Sequence, residues 1–371
     1  MEQNHSKTLH MPQLDGLRAL AVLAVVWFHW IPSAIKPLGV SLGEMGVDLF
    51  FVLSGFLITG ILLDNVRARS EENFHVLRQF YFRRLLRIFP LYYATIFLLV
   101  LLNIPPFREA FGWHLLYLQN FYQWKHGAGM WGSHLWTLAV EEQFYILWPF
   151  FVLFTPGKWL PVLLPLAILI GPVFRFVCWK NGMPDEVVRL LPGAVDTLVL
   201  GASMALVVRS AGSHLVKKLA FLALVTGGSL LVLIHLTDIL VLKAFRTTAV
   251  GLVFTWLIWR ASIGFRGVIG RLLECGPATY LGKISYGVYV IHGFPGAIWN
   301  WFFYSAPVPG HRIFDYLGLP HNLMDSLWIH LGWNLVFTTV LSILSWKYFE
   351  APINSLKRFF PYSKEKRSVT V

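Results

Sequence analysis

Runs of about twenty apolar residues recur along the whole chain, and each is long enough to cross the hydrocarbon of a bilayer as a helix. Ten candidate spans are read, at 14–32, 43–63, 88–104, 133–155, 159–178, 189–208, 216–235, 238–259, 280–302 and 327–348. Backbone polar groups find no water inside lipid, so segments of this kind satisfy their hydrogen bonds internally, as helices. Hydrophobic residues make up 56% of the chain and charged residues 13%, with a mean hydropathy of +0.59. A soluble domain carries about 25% charge. The expected fold class is therefore all-α, a polytopic membrane helical bundle of about ten transmembrane helices.

The polar pieces between the spans give the expected organisation. The stretch 108–123 is aromatic and too short to span, which suits an interfacial or re-entrant segment. Residues 262–274 read as an amphipathic surface helix. With the N-terminus in the cytoplasm, about 21 of the 31 Lys and Arg residues fall on the cytoplasmic side, so an N-in, C-in arrangement is expected. The same rule accounts for the net charge of +12 without nucleic acid. No cleavable signal peptide is expected, because the first apolar run follows a polar start and carries charge. Cys178 and Cys275 are not expected to pair, and no metal-ligand cysteine spacing is present in the sequence. The expected division is a membrane domain over 1–353 and a basic cytoplasmic tail over 354–371, suited to anionic lipid.

Ionisable groups inside apolar runs are costly and face protein or water. Arg18 and His29 share one run, LRALAVLAVVWFHW. Eleven residues of helix rise about 16 Å and end about 20° past three full turns, so the two groups lie on one face. His29 suits a general base, with a backbone-bonded interfacial histidine as the plainer alternative. In GEMGVDLFFVLSGFLITG, Glu44 and Asp48 share a face, and Gly46, Gly55 and Gly60 permit close helix approach. Arg84 and Arg87 are three apart at the mouth of the third span, which fits either phosphate binding or a topology-setting cluster. Thr137, Glu141 and Tyr145 form another stripe, with Glu142 beside it. One of the two glutamates would hold a histidine tautomer, as the acid of a triad does. Asp196 is a lone carboxylate within a span, and His292 is a core hydrogen-bonder or a pocket residue. Glu350 reads as structural, paired with a loop arginine, and Arg175 reads as snorkelling from an outer helix end. Nucleophile-elbow, P-loop, dinucleotide and HExxH patterns are absent from the sequence. Intramembrane charges also suit a proton-coupled transporter without covalent chemistry, the rival class, though no inverted repeat is evident.

These residues together resemble the acyltransferase-3 family of membrane-bound bacterial O-acyltransferases. Its Arg-x10-His motif is met by Arg18 and His29, and its Arg-x-x-Arg motif by Arg84 and Arg87 with Ile88 to Pro90 following. Its Ser-x3-Glu-x3-Tyr motif is met at Glu141 and Tyr145, with Thr137 in the serine position. LGKISYGVYVIHGFP resembles its late-span motif, with Gly293 and Phe294 in place of part of a His-Trp-Pro-like run. The resemblance implies transfer of an acyl group, most often acetyl, from cytoplasmic acyl-CoA to a hydroxyl of a surface carbohydrate or another exported acceptor. Acyl-CoA would be a co-substrate, with no permanently bound cofactor or metal. Arg84, Arg87 and Arg18 would bind the donor, and His29, Arg18 and Glu141 would serve catalysis. Asp48, Glu142, Tyr145, Thr137, Asp196 and His292 would shape the acceptor side. Some members carry an extra span and a fused extracytoplasmic esterase-like domain. Neither is expected here, so the chain would act alone or pass the acyl group to a separate partner. The implied location is the cytoplasmic membrane.

Overall fold

The computed structural model of the chain describes residues 11–31, 40–66, 70–127, 131–305, 316 and 326–362, and among these no strand occurs. The helices are α1 (Pro12–Trp30), α2 (Leu42–Asn65), α3 (Ser70–Leu101), α4 (Phe111–Leu115), α5 (Gln119–His126), α6 (Trp136–Phe154), α7 (Leu160–Lys180), α8 (Leu191–Ser210), α9 (Ser213–Leu236), α10 (Leu240–Ala244), α11 (Arg246–Ile263), α12 (Gly267–Glu274), α13 (Gly276–Ile291), α14 (Pro295–Asn300), α15 (Leu327–Ser345) and α16 (Ala351–Ser355). Proline stands in the first turn of α1, α7, α8, α13 and α14, where its missing N–H has no intrahelical partner to lose. Ser41 caps α2 by accepting from the backbone N–H of Glu44 at 3.1 Å.

Among the described residues, seven helices are long and apolar enough to cross a membrane, and α11 with α12 forms a further pair bent by 83°. The chain is a multi-pass membrane protein. Eight of the ten expected spans overlap these helices; the other two, 14–32 and 280–302, fall on α1 and on α13 with α14, which are helical but not among them, and two spans differ in form. The span expected at 280–302 is broken: α13 ends at Ile291, and α14 starts at Pro295. The span expected at 88–104 is the second half of the 32-residue α3. The residues before it, expected as a connecting piece, contain no glycine or proline and continue the helix. At 1.5 Å per residue α3 is about 48 Å long, longer than the roughly 30 Å of hydrocarbon, so its arginine-bearing first half extends past it. The residues expected as a surface helix, 262–274, hold the end of α11, a bend and the eight-residue α12, and 108–123 holds the short α4 and α5.

Lipid tails are as apolar as leucine, so helices in a membrane gain little from hydrophobic burial and associate by close packing. Here glycines bring the backbones together. A Cβ on Gly55 would stand 1.8 Å from the Leu198 carbonyl oxygen, and one on Gly201 would stand 2.0 Å from that of Val52, so α2 and α8 touch main chain to main chain. α1 meets α13 the same way, with Gly282 against the Asp15 carbonyl. α2 is the shared wall of two packed cores. Phe51 and Ile58 enter one with Tyr92, Leu135 and Val290, while Val52, Leu53 and Phe56 enter the other with Leu17, Ala205 and Ile258. Residues 356–362, part of the expected tail, fold back on α3: Arg83 donates to the carbonyls of Lys357 and Phe360 at 2.9 and 3.2 Å. The tail beyond 362 lies outside the described residues.

The Gly55 contact yields a stability prediction. Gly55→Ala forces α2 and α8 apart and should cost about 1–3 kcal/mol, the usual price of overpacking. Gly228→Ala, on α9 with open space around its Cβ position, should leave the unfolding temperature in detergent unchanged or slightly raised. Equal melting of both variants with the wild type would remove the contact from the stability account.

Candidate active site

α1 carries two polar groups on one face, and each opens on a different cavity. At the Arg18 end lies a cavity of about 250 Å³, lined by Arg18, Arg84, Arg87, Ser54, Thr137, Glu141, Tyr145, Ser285, Tyr286 and Tyr289 with an apolar remainder. Three guanidiniums converge there from α1 and α3. Arg18 is partly exposed and bonds Asp15 at 3.0 Å. Arg84 lies over the Tyr145 ring at 4.1 Å, and Arg87 over the Trp346 ring at 5.2 Å. Stacking fixes a guanidinium plane while leaving its edge N–H groups able to donate. The one carboxylate on this wall, Glu141, accepts from the Ser54 hydroxyl at 2.5 Å. Three cations against one lining carboxylate make a site for an anion.

The other end is built around histidine. His29 is exposed in the last turn of α1, while His134 and His292 are buried beside it. Ring centroids stand 5.0 Å apart for His29 and His292, 4.6 Å for His134 and His292, and 6.2 Å for His29 and His134. The break between α13 and α14 places His292 there. His29 and His134 line two further cavities. One, of about 740 Å³, has aromatic and proline walls from Trp30, Trp131, Pro105 and Pro106, with His292 and Asn334. The other, of about 570 Å³, is charged, with Glu44, Asp48, Asp185, Arg189 and Arg246 among its lining.

A thin partition separates the arginine cavity from the charged one. Val47, Phe51 and Tyr289 line both. The Tyr289 hydroxyl shares a hydrogen bond with the Thr137 hydroxyl at 2.6 Å and donates to the His134 carbonyl at 3.0 Å. Thr137 is thus held in the partition, where its hydroxyl serves as a structural link. Among the described residues no group of three His, Cys, Asp or Glu side chains is arranged to hold a metal ion.

Residues 11–347 match the family described as "Acyltransferase domain". The chain belongs to that family. Among its relatives are YrhL of Bacillus subtilis (strain 168), a candidate peptidoglycan O-acetyltransferase, and the peptidoglycan O-acetyltransferase OatA of Listeria monocytogenes. The first is 30% identical over 390 residues, covering 95% of this chain and 56% of the relative. The second is 27% identical over 399 residues, covering 96% and 58%. The O-acetyltransferase OatA of Staphylococcus aureus is 29% identical over 226 residues, covering 53% of this chain and 35% of the relative. The chain thus spans little more than half the length of the first two relatives. No solved structure matches it.

Against this acyltransferase fold, the sequence-based site separates into parts. Arg18, Arg84, Arg87, Thr137, Glu141 and Tyr145 come together at one cavity, and His29, Asp48 and His292 at the others. Glu142 lines none of the three; it is buried, and its Oε1 has no hydrogen-bond partner among the described residues. Glu141 does not reach the histidines, so the expected tautomer-holding carboxylate is on the other side of the partition. Glu350 accepts from Ser345 at 2.9 Å and interacts electrostatically with Arg87. Arg175 does not snorkel. It is 2% exposed, donates to the carbonyls of Ala244 and Gly193, and forms a two-pronged pair with Asp196 at 3.1 and 2.8 Å. Thr248 also bonds Asp196, at 2.5 Å. Asp196 is spent on this closed pair and lies behind the chamber wall. Sequence reading passed over His134, Ser54 and Tyr289. Their signals were present: His134 stands three before Thr137, Ser54 is the only hydroxyl on the Val47–Phe51–Ser54–Ile58 stripe, and Tyr289 follows Ser285 by four.

Removing Asp196 therefore tests architecture. Asp196→Ala strands a buried guanidinium and should cost about 3–5 kcal/mol, whereas Arg175→Met with Asp196→Leu should recover most of it. Thermal unfolding of the purified variants reads the difference. A stable Asp196→Ala protein with a raised acceptor KM would return Asp196 to the acceptor site.

Proposed function

We propose that the chain is an O-acyltransferase of the cytoplasmic membrane, moving an acyl group, acetyl foremost, from cytoplasmic acyl-CoA to a hydroxyl of a surface carbohydrate. The observation that carries this reading is the pair of cavities on one face of α1, one cationic and one histidine-lined, parted by a thin wall of Val47, Phe51 and Tyr289. The names of the relatives supply the O-acetyl group and a glycan acceptor, peptidoglycan in two of them. The basic-residue distribution supports an orientation with Arg18, Arg84 and Arg87 toward the cytoplasm and His29 toward the outer side.

In this reading the arginines hold the phosphates of CoA through charge-assisted hydrogen bonds, and the narrow cavity admits the acyl-pantetheine arm. Arg18 faces that arm from α1. Glu141, held by Ser54, orients the polar wall against which the thioester rests. His29 takes the proton of the acceptor hydroxyl, and the charged chamber with Asp48, Glu44 and Arg189 holds the acceptor's polar groups. Bringing the two reactants to one point across the partition supplies the proximity that catalysis needs.

Two variants test it. His29→Ala should abolish transfer of labelled acetyl from acetyl-CoA to membrane glycan while the protein still inserts, and wild-type transfer would sink the assignment. Arg84→Ala with Arg87→Ala should weaken CoA binding by about 10- to 100-fold, the equivalent of losing roughly 1.4–2.8 kcal/mol of phosphate contact. Unchanged affinity would remove the arginine pair from the donor site.

A further inference from the structure

The three clustered histidines are not equivalent. His29 is open to the cavities, whereas His134 and His292 are 4% and 1% exposed. The hydrogen bonds among them fix which nitrogen carries each proton. His29 Nδ1 lies 2.8 Å from the Val25 carbonyl oxygen. A carbonyl only accepts, so Nδ1 holds the proton and the lone pair is left on Nε2. His292 Nδ1 lies 2.7 Å from the Tyr289 carbonyl, which by the same logic leaves the His292 lone pair on Nε2. That Nε2 stands 3.4 Å from His29 Nδ1. The Trp30 indole donates to the His292 carbonyl at 3.0 Å and ties the end of α1 to the α13–α14 break.

We propose that His292 is a positioning residue for His29. It is a neutral acceptor that shares the Nδ1 proton with Val25 and keeps the basic Nε2 turned to the acceptor hydroxyl. The inference rests on His29 acting as general base. In that step the acceptor O–H bond breaks and its proton passes to His29 Nε2, while the oxygen forms a bond to the thioester carbonyl carbon. The C–S bond then breaks, and the proton leaves Nε2 for the thiolate. Between the two transfers His29 is an imidazolium, and its Nδ1–H donates to Val25 and His292. A triad of the familiar kind places a carboxylate here. Glu141, the carboxylate at motif spacing, is bonded to Ser54 in the arginine cavity instead. An imidazole fits better at this depth because it accepts a hydrogen bond without burying a negative charge.

The test uses the full-length chain in phospholipid vesicles with three variants: His292→Phe, which keeps the ring and loses the acceptor; His292→Gln, whose carbonyl restores an acceptor near the Nε2 position; and His29→Ala. Nitrogen NMR of histidine-labelled protein, with the His29 signal identified by its loss in His29→Ala, should show wild-type His29 protonated on Nδ1 alone. The Phe variant should show mixed tautomers, and the Gln variant a single one. Thiol release from acetyl-CoA should fall in kcat at least about tenfold for His292→Phe, short of the roughly 10⁴-fold of a wrong triad tautomer because the Val25 carbonyl remains. KM for acetyl-CoA should be unchanged, and His292→Gln should recover most of the loss. A wild-type His29 protonated on Nε2, an unchanged tautomer in the Phe variant, or a Gln variant no better than Phe would overturn the proposal. Loss of activity in His29→Ala with wild-type kcat in His292→Phe overturns the positioning role alone. Full activity in His29→Ala overturns the functional reading itself.

Discussion

The site depends on a main-chain contact far from its chemistry. Gly282 presses against the Asp15 carbonyl, where a Cβ would stand only 1.9 Å away, and this sets the register between α1 and α13. Ten residues on from Asp15 is Val25, and ten on from Gly282 is His292. At 1.5 Å per residue both lie about 15 Å from the contact. Helical side chains lean back toward the N-terminus, so the His29 ring reaches the level of Val25, one turn below its own backbone. His29 and His292 meet because the two helices start level and climb together. A residue with a side chain at 282 would change the height of one histidine against the other.

Lipid imposes the second constraint, that each charge in a span be turned inward and satisfied. The protein meets it in two ways. Arg175 and Asp196 close on one another with Thr248 and two carbonyls, leaving nothing over for a ligand. Arg84 and Arg87 instead lie over aromatic rings, which steady the guanidinium, and Arg87 makes one long bond, to the Lys283 carbonyl at 3.4 Å. The difference separates a charge closed within the bundle from charges that face a cavity.

This is also where the sequence was and was not legible. Periodicity and length were enough for the helical bundle and for the common face of Arg18 and His29, because both follow from helix geometry within one segment. The glycines at 46 and 55 were legible as close approaches for the same reason, and both meet a neighbouring carbonyl oxygen. What the sequence could not show was pairing between segments. Arg175 and Asp196 are 21 residues apart on different helices, so one read as snorkelling and the other as an acceptor ligand. Glu141 and Glu142 looked alike as neighbours, yet successive helical residues point about 100° apart, and only one faces the cavity. His134 was passed over because its value comes from His292 and His29, which are distant in sequence.

The departure at 293 follows from the same cluster. The residue after the late histidine is Gly293, and a Cβ there would stand 2.1 Å from His134 Cε1 and 2.3 Å from Nδ1. The His134 ring occupies the space that a side chain at 293 would need. It is held there by a hydrogen bond from Nε2 to the Val290 carbonyl at 3.2 Å. His134 therefore backs His292 as a ring wall, 4.6 Å from it, while its own carbonyl accepts from Tyr289 in the partition. One residue thus joins the histidine cluster to the partition, its ring packed against His292 and its backbone holding the Tyr289–Thr137 pair. A rearrangement of the Tyr289–Thr137 pair therefore pulls on the His134 carbonyl, and through it on the ring that packs against His292.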